Sequence, residues 1–236
     1  MSLAIDKLKS TVADSKAHLL DEPIYDDHLD TFYFCETIKA PEYMDIPIES
    51  IVALNRTVAF DGATWRENLM EIEGKSKNGE PWTDDIFRYF ECEIRDQEFG
   101  QPGSTRNLRV VIRGGAVEIE NGVHRAIAAV CWLAAKEKPF LKSVRVSYQS
   151  KLRSDYAAIF REAYANGSVV NVPKTPCDYL PCIAIERDNS FSIYTNTDNG
   201  ISISFTKNRS DVSSVEWKTV PPRMLKNLLD MRFDVI

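Results

Sequence analysis

The sequence predicts an α+β chain, and three observations carry that prediction. The segment from Val123 to Lys138 is almost wholly apolar and has the length of a helix, so it reads as buried on most sides. A second segment, Ser154 to Ala165, sets Tyr156, Ile159, Phe160, Ala163 and Tyr164 at i, i+3, i+4, i+7 and i+8, the spacing of an amphipathic helix. From Val169 onward the period changes. CIAIER, FSIYTN, ISISFTKN and SSVEWKTV are short alternating runs split by DN, TDNG and NRSD, which reads as an antiparallel meander.

The other elements follow from local signals. Residues 3–20 form an amphipathic pattern with Leu3, Ile5, Leu8 and Val12 near one face. The acidic loop DEPIYDDHLD leads to a short aromatic strand around Thr31 to Thr37, and Pro41 closes this leader. Met44 to Leu54, MDIPIESIVAL, reads as a strand and turn, with a further strand at Thr57 to Phe60 and a turn at Asp61-Gly62. Trp65 to Glu73 is a short helix before the polar loop GKSKNGEP. Thr83 or Asp84 is the expected N-cap of a helix over Asp85 to Phe99, in which Ile86, Phe87, Phe90 and Ile94 keep helical spacing. GQPGSTRN is a loop on composition. It leads into two strands, Leu108 to Arg113 and Val117 to Glu120, joined by Gly114-Gly115 as a hairpin turn that needs φ > 0. Asn121-Gly122 breaks the second strand ahead of the apolar helix. Val144 to Tyr148 alternates as a strand, Asn166-Gly167 stops the second helix, and Pro221-Pro222 opens a final one, RMLKNLLDMRF.

Length and charge bound the function. With 236 residues the chain makes one large domain or two small ones. Against 29 Lys and Arg stand 35 Asp and Glu, a formal net charge of −6, which disfavours a general DNA-binding role. No apolar run approaches the ~20 residues that span a bilayer, and the N-terminal stretch lacks an uninterrupted signal-peptide core. Five cysteines do not make an even disulfide framework, so a cytoplasmic location is expected. No Walker A loop, GxSxG elbow or HExxH helix is present.

The chemistry concentrates where the apolar helix begins. Its polar residues sit at its ends: His124 and Arg125 in the first turn, Lys136 and Lys138 in the last. The lysines suit the negative end of the helix dipole, whereas cations at the start add to an end that is already positive. Two such side chains at a glycine-opened helix start fit an anion, most often a phosphate.

The segment IENGVHRAIAA, preceded by two strands and by DDIFRYFECEIRDQE, resembles the ParB/sulfiredoxin superfamily. There the corresponding turn often reads DG-x-H-R-x-x-A, matched here by Asn121, Gly122, Val123, His124, Arg125 and Ala128. MDIPIESIVAL resembles the strand that opens the same fold, and the similarity covers about 41–150 with an insertion near 61–82. The resemblance implies a mixed-sheet domain over 41–150, flanked by a helical leader (1–40) and a helix plus β-meander region (151–236). It also implies a nucleotide such as ATP, with Mg²⁺, bound through Asn121, Gly122, Val123, His124 and Arg125. In a phosphotransferase or nucleotide hydrolase of this kind, His124 and Arg125 would act on the phosphates, and Glu49 would match the acid that small-molecule kinase relatives use to orient the acceptor. Two departures narrow the expectation. Val123 stands where sulfiredoxins carry their catalytic Cys, so sulfinic reduction is not expected. One Arg in the turn and a β-rich continuation replace the second Arg and helix-turn-helix domain of chromosome-partition members. A ParB-like nuclease or DNA-associated protein and a non-catalytic interaction module are the alternative readings.

Each residue also has a purely structural reading. His124 either donates to a phosphate or satisfies backbone groups at the helix start. Arg125 either clamps a phosphate in bidentate fashion or pairs with Glu118 or Glu120. Glu118 and Glu120 share a strand face that is either solvated or holds Mg²⁺. Arg106, Arg109 and Arg113 form a basic fringe or are solvated and ion-paired. Cys177 and Cys182 in CDYLPC are spaced too widely for a usual zinc knuckle, Cys131 is a packing residue, and the four tryptophans are too scattered for a stacking platform.

Overall fold

A helix that is apolar on nearly every side requires cover on nearly every side, and the chain supplies it. The computed structural model describes residues 4–26, 35–55, 62–75, 79–99, 107–174, 183–197, 200–207, 215–230 and 233. The expected strand at 57–60, the loop at 100–106 with Arg106, most of the aromatic strand near 31–37, His28, and the Cys177 and Cys182 pair lie outside the described residues. In chain order the elements are α1 (Ala4–Ala13), β1 (Tyr25–Asp26), β2 (Cys35–Ile38), β3 (Tyr43–Pro47), β4 (Ile51–Leu54), α2 (Trp65–Met70), α3 (Asp85–Glu91), β5 (Arg109–Arg113), β6 (Ala116–Asn121) and α4 (Val123–Ala135). They continue with β7 (Phe140–Leu152), α5 (Ser154–Ala165), β8 (Val169–Pro173), β9 (Ile183–Arg187), β10 (Ser190–Thr197), β11 (Gly200–Thr206), β12 (Trp217–Thr219) and α6 (Pro222–Leu229). The chain is α+β, with one mixed and one antiparallel sheet. No helix among the described residues is long and apolar enough to cross a membrane.

The chain divides into two compact units. The first comprises Met1–Asp27, Lys39–Ile112 and Ala116–Gln149. Its strands run in the order β1-β4-β6-β5-β7, with β3 antiparallel to β7. β4 is parallel to both β1 and β6. α1, α2 and α3 pack on α4, and every residue of α4 from Ala126 to Ala134 is buried. At the C-terminal end of α4 the Trp132 indole N–H donates to Glu91 Oε1 at 2.8 Å, and Lys138 pairs with Glu91 Oε2 at 2.5 Å. Lys138 and Trp132 together lower the Glu91 pKa. Lys136 lies over the Trp132 ring at 4.8 Å. The two lysines thus hold the negative end of the helix as the dipole requires.

α2 ends at Met70 rather than Glu73 and α6 at Leu229 rather than Phe233, and two other helices end at least seven residues before their apolar spacing suggests. α1 stops at Ala13 rather than near residue 20. Its Ser10 and Thr11 hydroxyls donate back to Lys7 O, which competes with the helical ladder. Arg66 of α2 then caps the exit, donating to the carbonyls of Val12 and Ser15. α3 stops at Glu91 rather than Phe99: Cys92 is extended and Arg95 has φ 39°. Ile94 and Phe99 are buried nonetheless, so their apolar character reflects packing beyond the helix. Asp84 occupies the N-cap position of α3 without a side-chain cap bond. α2 carries a full capping box, with Thr64 Oγ1 accepting from Glu67 N and Glu67 Oε2 accepting from Thr64 N.

The second unit comprises His28–Ile38, Arg113–Gly115 and Ser150–Ile236. α5 spans the expected residues and ends in a Schellman motif: Gly167 (φ 63°) donates to Tyr164 O and Ser168 to Ala163 O. β8, β9, β10 and β11 pair antiparallel in sequence, and Asp188-Asn189 turns between β9 and β10 with both φ positive. β12 departs from the meander. It returns to pair with β8, giving the order β11-β10-β9-β8-β12, and its Trp217 packs on Phe191 and Ile193.

The Gly114-Gly115 turn serves two different ends. Gly114 has φ 56°, as a hairpin turn demands, whereas Gly115 needs no positive φ. A Cβ on Gly115 would lie 2.1 Å from Asp230 O and 2.4 Å from Asn227 O, so the end of α6 packs directly on glycine backbone. Gly115→Ala is therefore expected to lower stability by about 3 kcal/mol, the upper end of overpacking costs. Urea denaturation measures this, and a loss below about 0.5 kcal/mol would contradict the close approach.

Candidate functional site

β6 carries the chain to the site. In its register with β4, Ile51 pairs with Val117 and Leu54 with Ile119, so the carboxyl ends of the two parallel strands point the same way. At that end Asn121 closes β6 and Gly122, at φ 86° and ψ 34°, turns the chain into α4. Only glycine enters this left-handed region without strain. A Cβ at Gly122 would also lie 3.1 Å from Leu108 Cδ1 and 3.4 Å from two guanidinium nitrogens of Arg125. Having no side chain, Gly122 supplies no cap, and the first turn of α4 contains no acidic residue. The helical ladder begins with Ala126 N donating to Gly122 O at 2.9 Å.

The motif residues divide by environment. Val123 is buried and packs inward, so it offers the site only its backbone. His124 points outward and is exposed. Asn121 is half-buried, and its amide donates to Asn107 O at 2.6 Å, tying the turn to the segment before β5. Arg125 is half-buried, its guanidinium carbon 5.4 Å from the centre of the Phe99 ring. Burial lowers the Arg125 pKa, and the nearby Tyr89 opposes that shift. Tyr89 itself is buried on α3, which raises its pKa, while Arg125 acts in the other direction. Tyr89 and Arg125 thus act on each other through charge and through a side-chain contact.

Beside the turn lies a polar network that the sequence did not announce. Asp96 accepts from the Tyr43 hydroxyl and from the Asn107 amide, each at 2.6 Å, with Arg145 at 3.8 Å. Through Asn107 this network reaches Asn121. Its members come from separate segments, and no spacing links them in the sequence. Asp96 pushes the Tyr43 phenol up to about 12. On the adjoining strands Glu120 accepts from Ser147 and pairs with Arg109 at 3.4 Å.

The structure places three further groups of candidate residues. Glu49 is not at the turn. It is exposed in the 3₁₀ turn Ile48–Ser50 that precedes β4, at the amino ends of the parallel strands. There Ile48 N donates to Pro139 O, beyond the far end of α4. The 13 residues of α4 make a helix roughly 20 Å long, which separates Glu49 from His124. Glu118 is not on a solvated face: it is 1% exposed, so it and Glu120 do not form an open pair for a metal. Arg109 pairs with Glu120, and Arg113, at the other end of β5, belongs to the second unit, so they make no fringe around the turn. Among the described residues no group of three His, Cys, Asp or Glu side chains is arranged to hold a metal ion. Cys131 is buried in α4, with its thiol donating to Trp65 O at 3.4 Å, in keeping with a packing role.

The Asp96–Tyr43 bond yields a titration test. A raised tyrosine pKa means the fold favours the neutral phenol; that contribution is complete below about 10 and is lost as the pH rises through about 12. The ultraviolet difference between wild type and Tyr43→Phe is expected to show a tyrosinate step near 12. Asp96→Asn should move that step back toward 10. A wild-type step already at the ordinary tyrosine value would show that the bond is absent in solution.

Compared with protein-family models, with curated proteins and with solved structures, the chain finds no match.

Proposed function

We propose that this chain binds a phosphate-bearing ligand, most simply a nucleotide, at the turn Asn121–Arg125. The observation that carries the reading is the left-handed Gly122 opening α4 at the carboxyl end of parallel strands β4 and β6. Ligands of open parallel sheets gather at that end of the strands, and a helix start without an acid or a side-chain cap favours an anion. In this scheme the backbone of Gly122 to His124 approaches the phosphate, exposed His124 donates from the solvent side, and Arg125 supplies positive charge from below. Arg125 is well suited to bidentate contact with phosphate oxygens. The reading stops at binding. Phosphoryl transfer needs a group to orient the acceptor, and Glu49 stands at the opposite end of α4. The net charge of −6 keeps DNA as the disfavoured ligand.

The packing of Arg125 over Phe99 and against Gly122 supports a second reading, in which the turn is structural and binds nothing. His124 separates the two, because it is exposed on the solvent side of the turn and circular dichroism of its variant checks the fold directly. Calorimetry with ATP, ADP, CTP and GTP, with and without Mg²⁺, is expected to show binding to the wild type. His124→Ala should weaken it about tenfold, the loss of roughly one charge-assisted hydrogen bond, with an unchanged melting temperature. Absence of binding by the wild type would overturn the proposal and leave the structural turn.

A further inference from the structure

We infer that β11 pairs antiparallel with the β11 of a second copy of this chain, across a twofold axis at Ile203. This stands independently of the phosphate reading. β11 is the last strand in the order β11-β10-β9-β8-β12, and among the described residues no strand pairs with its outer side. Its inner side pairs with β10 in unbroken register, from Phe191↔Thr206 to Thr197↔Gly200. Exposed sheet edges are ordinarily blunted by a lysine, a proline or a bulge. The strand GISISFT has none of these.

Its outward chemistry is apolar where an edge strand is usually guarded. Ile201, Ile203 and Phe205 alternate onto one face, with Ile203 52% and Phe205 80% exposed. On the same face Ile203 lies opposite Tyr194, whose hydroxyl feels the carboxylate of Glu162 on α5. α5 therefore lies over the inner strands while the apolar stripe of β11 continues past it into solvent.

Self-complementarity selects the occupant. Antiparallel pairing centred on Ile203 sets that residue against its own copy, Ile201 against Phe205 of the copy, and Ser202 against Ser204. From Ile201 to Phe205 apolar meets apolar and hydroxyl meets hydroxyl, as suits an isologous twofold contact. The strand carries no charge to repel its copy. A pairing of strands alone buries less than the roughly 1,000 Å² of a stable complex, so the dimer is expected to be reversible rather than obligate.

Sedimentation velocity on the full chain from about 5 to about 500 μM is expected to show a monomer–dimer equilibrium. Ile203→Lys puts like charges across the axis, and Phe205→Ser removes the exposed ring; each should raise the dissociation constant about tenfold or more with unchanged circular dichroism. Ile203→Cys should yield, under mild oxidation, a disulfide-linked dimer that the wild type does not form, because the axis brings the two copies of that position together. A monomer throughout the range would overturn the proposal and leave the edge to an extended peptide. A dimer untouched by both Ile203→Lys and Phe205→Ser would place the contact elsewhere and overturn it equally.

Discussion

The first unit depends on the burial of α4. A helix with Ile127, Val130 and Leu133 all removed from water gains about 1.5–3 kcal/mol from each such side chain. That gain exists only if several elements surround the helix at once. α1, α2 and α3 pack against it alongside the sheet, so the positions of those short helices follow from its surface rather than from their own propensity. The same enclosure fixes where α4 begins. Its first turn is anchored by buried Val123 and by the ladder that starts at Gly122, which ties the Asn121–Arg125 segment to the core behind it.

Electrostatics at that turn are set by burial as much as by sequence. Arg125 is partly removed from water, and the aromatic face of Phe99 and the hydroxyl of Tyr89 stand in for some of its lost hydration. Such a guanidinium is poorly hydrated and held in one orientation, which would lower the entropy lost on binding an anion under the proposed reading. It is also a packing residue, filling the space that a glycine leaves open. Under the proposed reading this one side chain would carry both a structural and a chemical duty, and a change at Arg125 alone does not tell them apart.

The sequence made long periodic segments legible and left their spatial relations obscure. α5 and α4 were readable because continuous apolar spacing and an Asn-Gly or Gly break leave few alternatives. The length of α3 was not, because Ile94 and Phe99 are buried from an irregular segment and so imitate helical spacing. The antiparallel pairing from β8 to β11 was legible from alternation and turns, whereas the return of β12 to β8 is a long-range choice that no local pattern records. The site shows the same division. Gly122, His124 and Arg125 are contiguous and were found together. The position of Glu49 was not legible, because adjacency to a strand does not say which end of a parallel sheet a residue occupies. Tyr43, Asp96 and Asn107 were missed because a hydrogen-bond network drawn from separate segments has no signature in one dimension.

The contact between the Gly114-Gly115 turn and the end of α6 has a consequence for synthesis. The second unit is assembled from 28–38, 113–115 and 150–236, segments made at widely different times on the ribosome. Its early pieces must wait for residues 227–230 before the turn meets its carbonyl partners. Such distant closures slow folding, since loop entropy is lost before the contacts that offset it form. The first unit, whose helices pack mainly within residues 4–135, can consolidate while the remainder is still being translated. Vectorial emergence thus imposes an order of maturation on the two units, with the second sheet among the last parts to be completed.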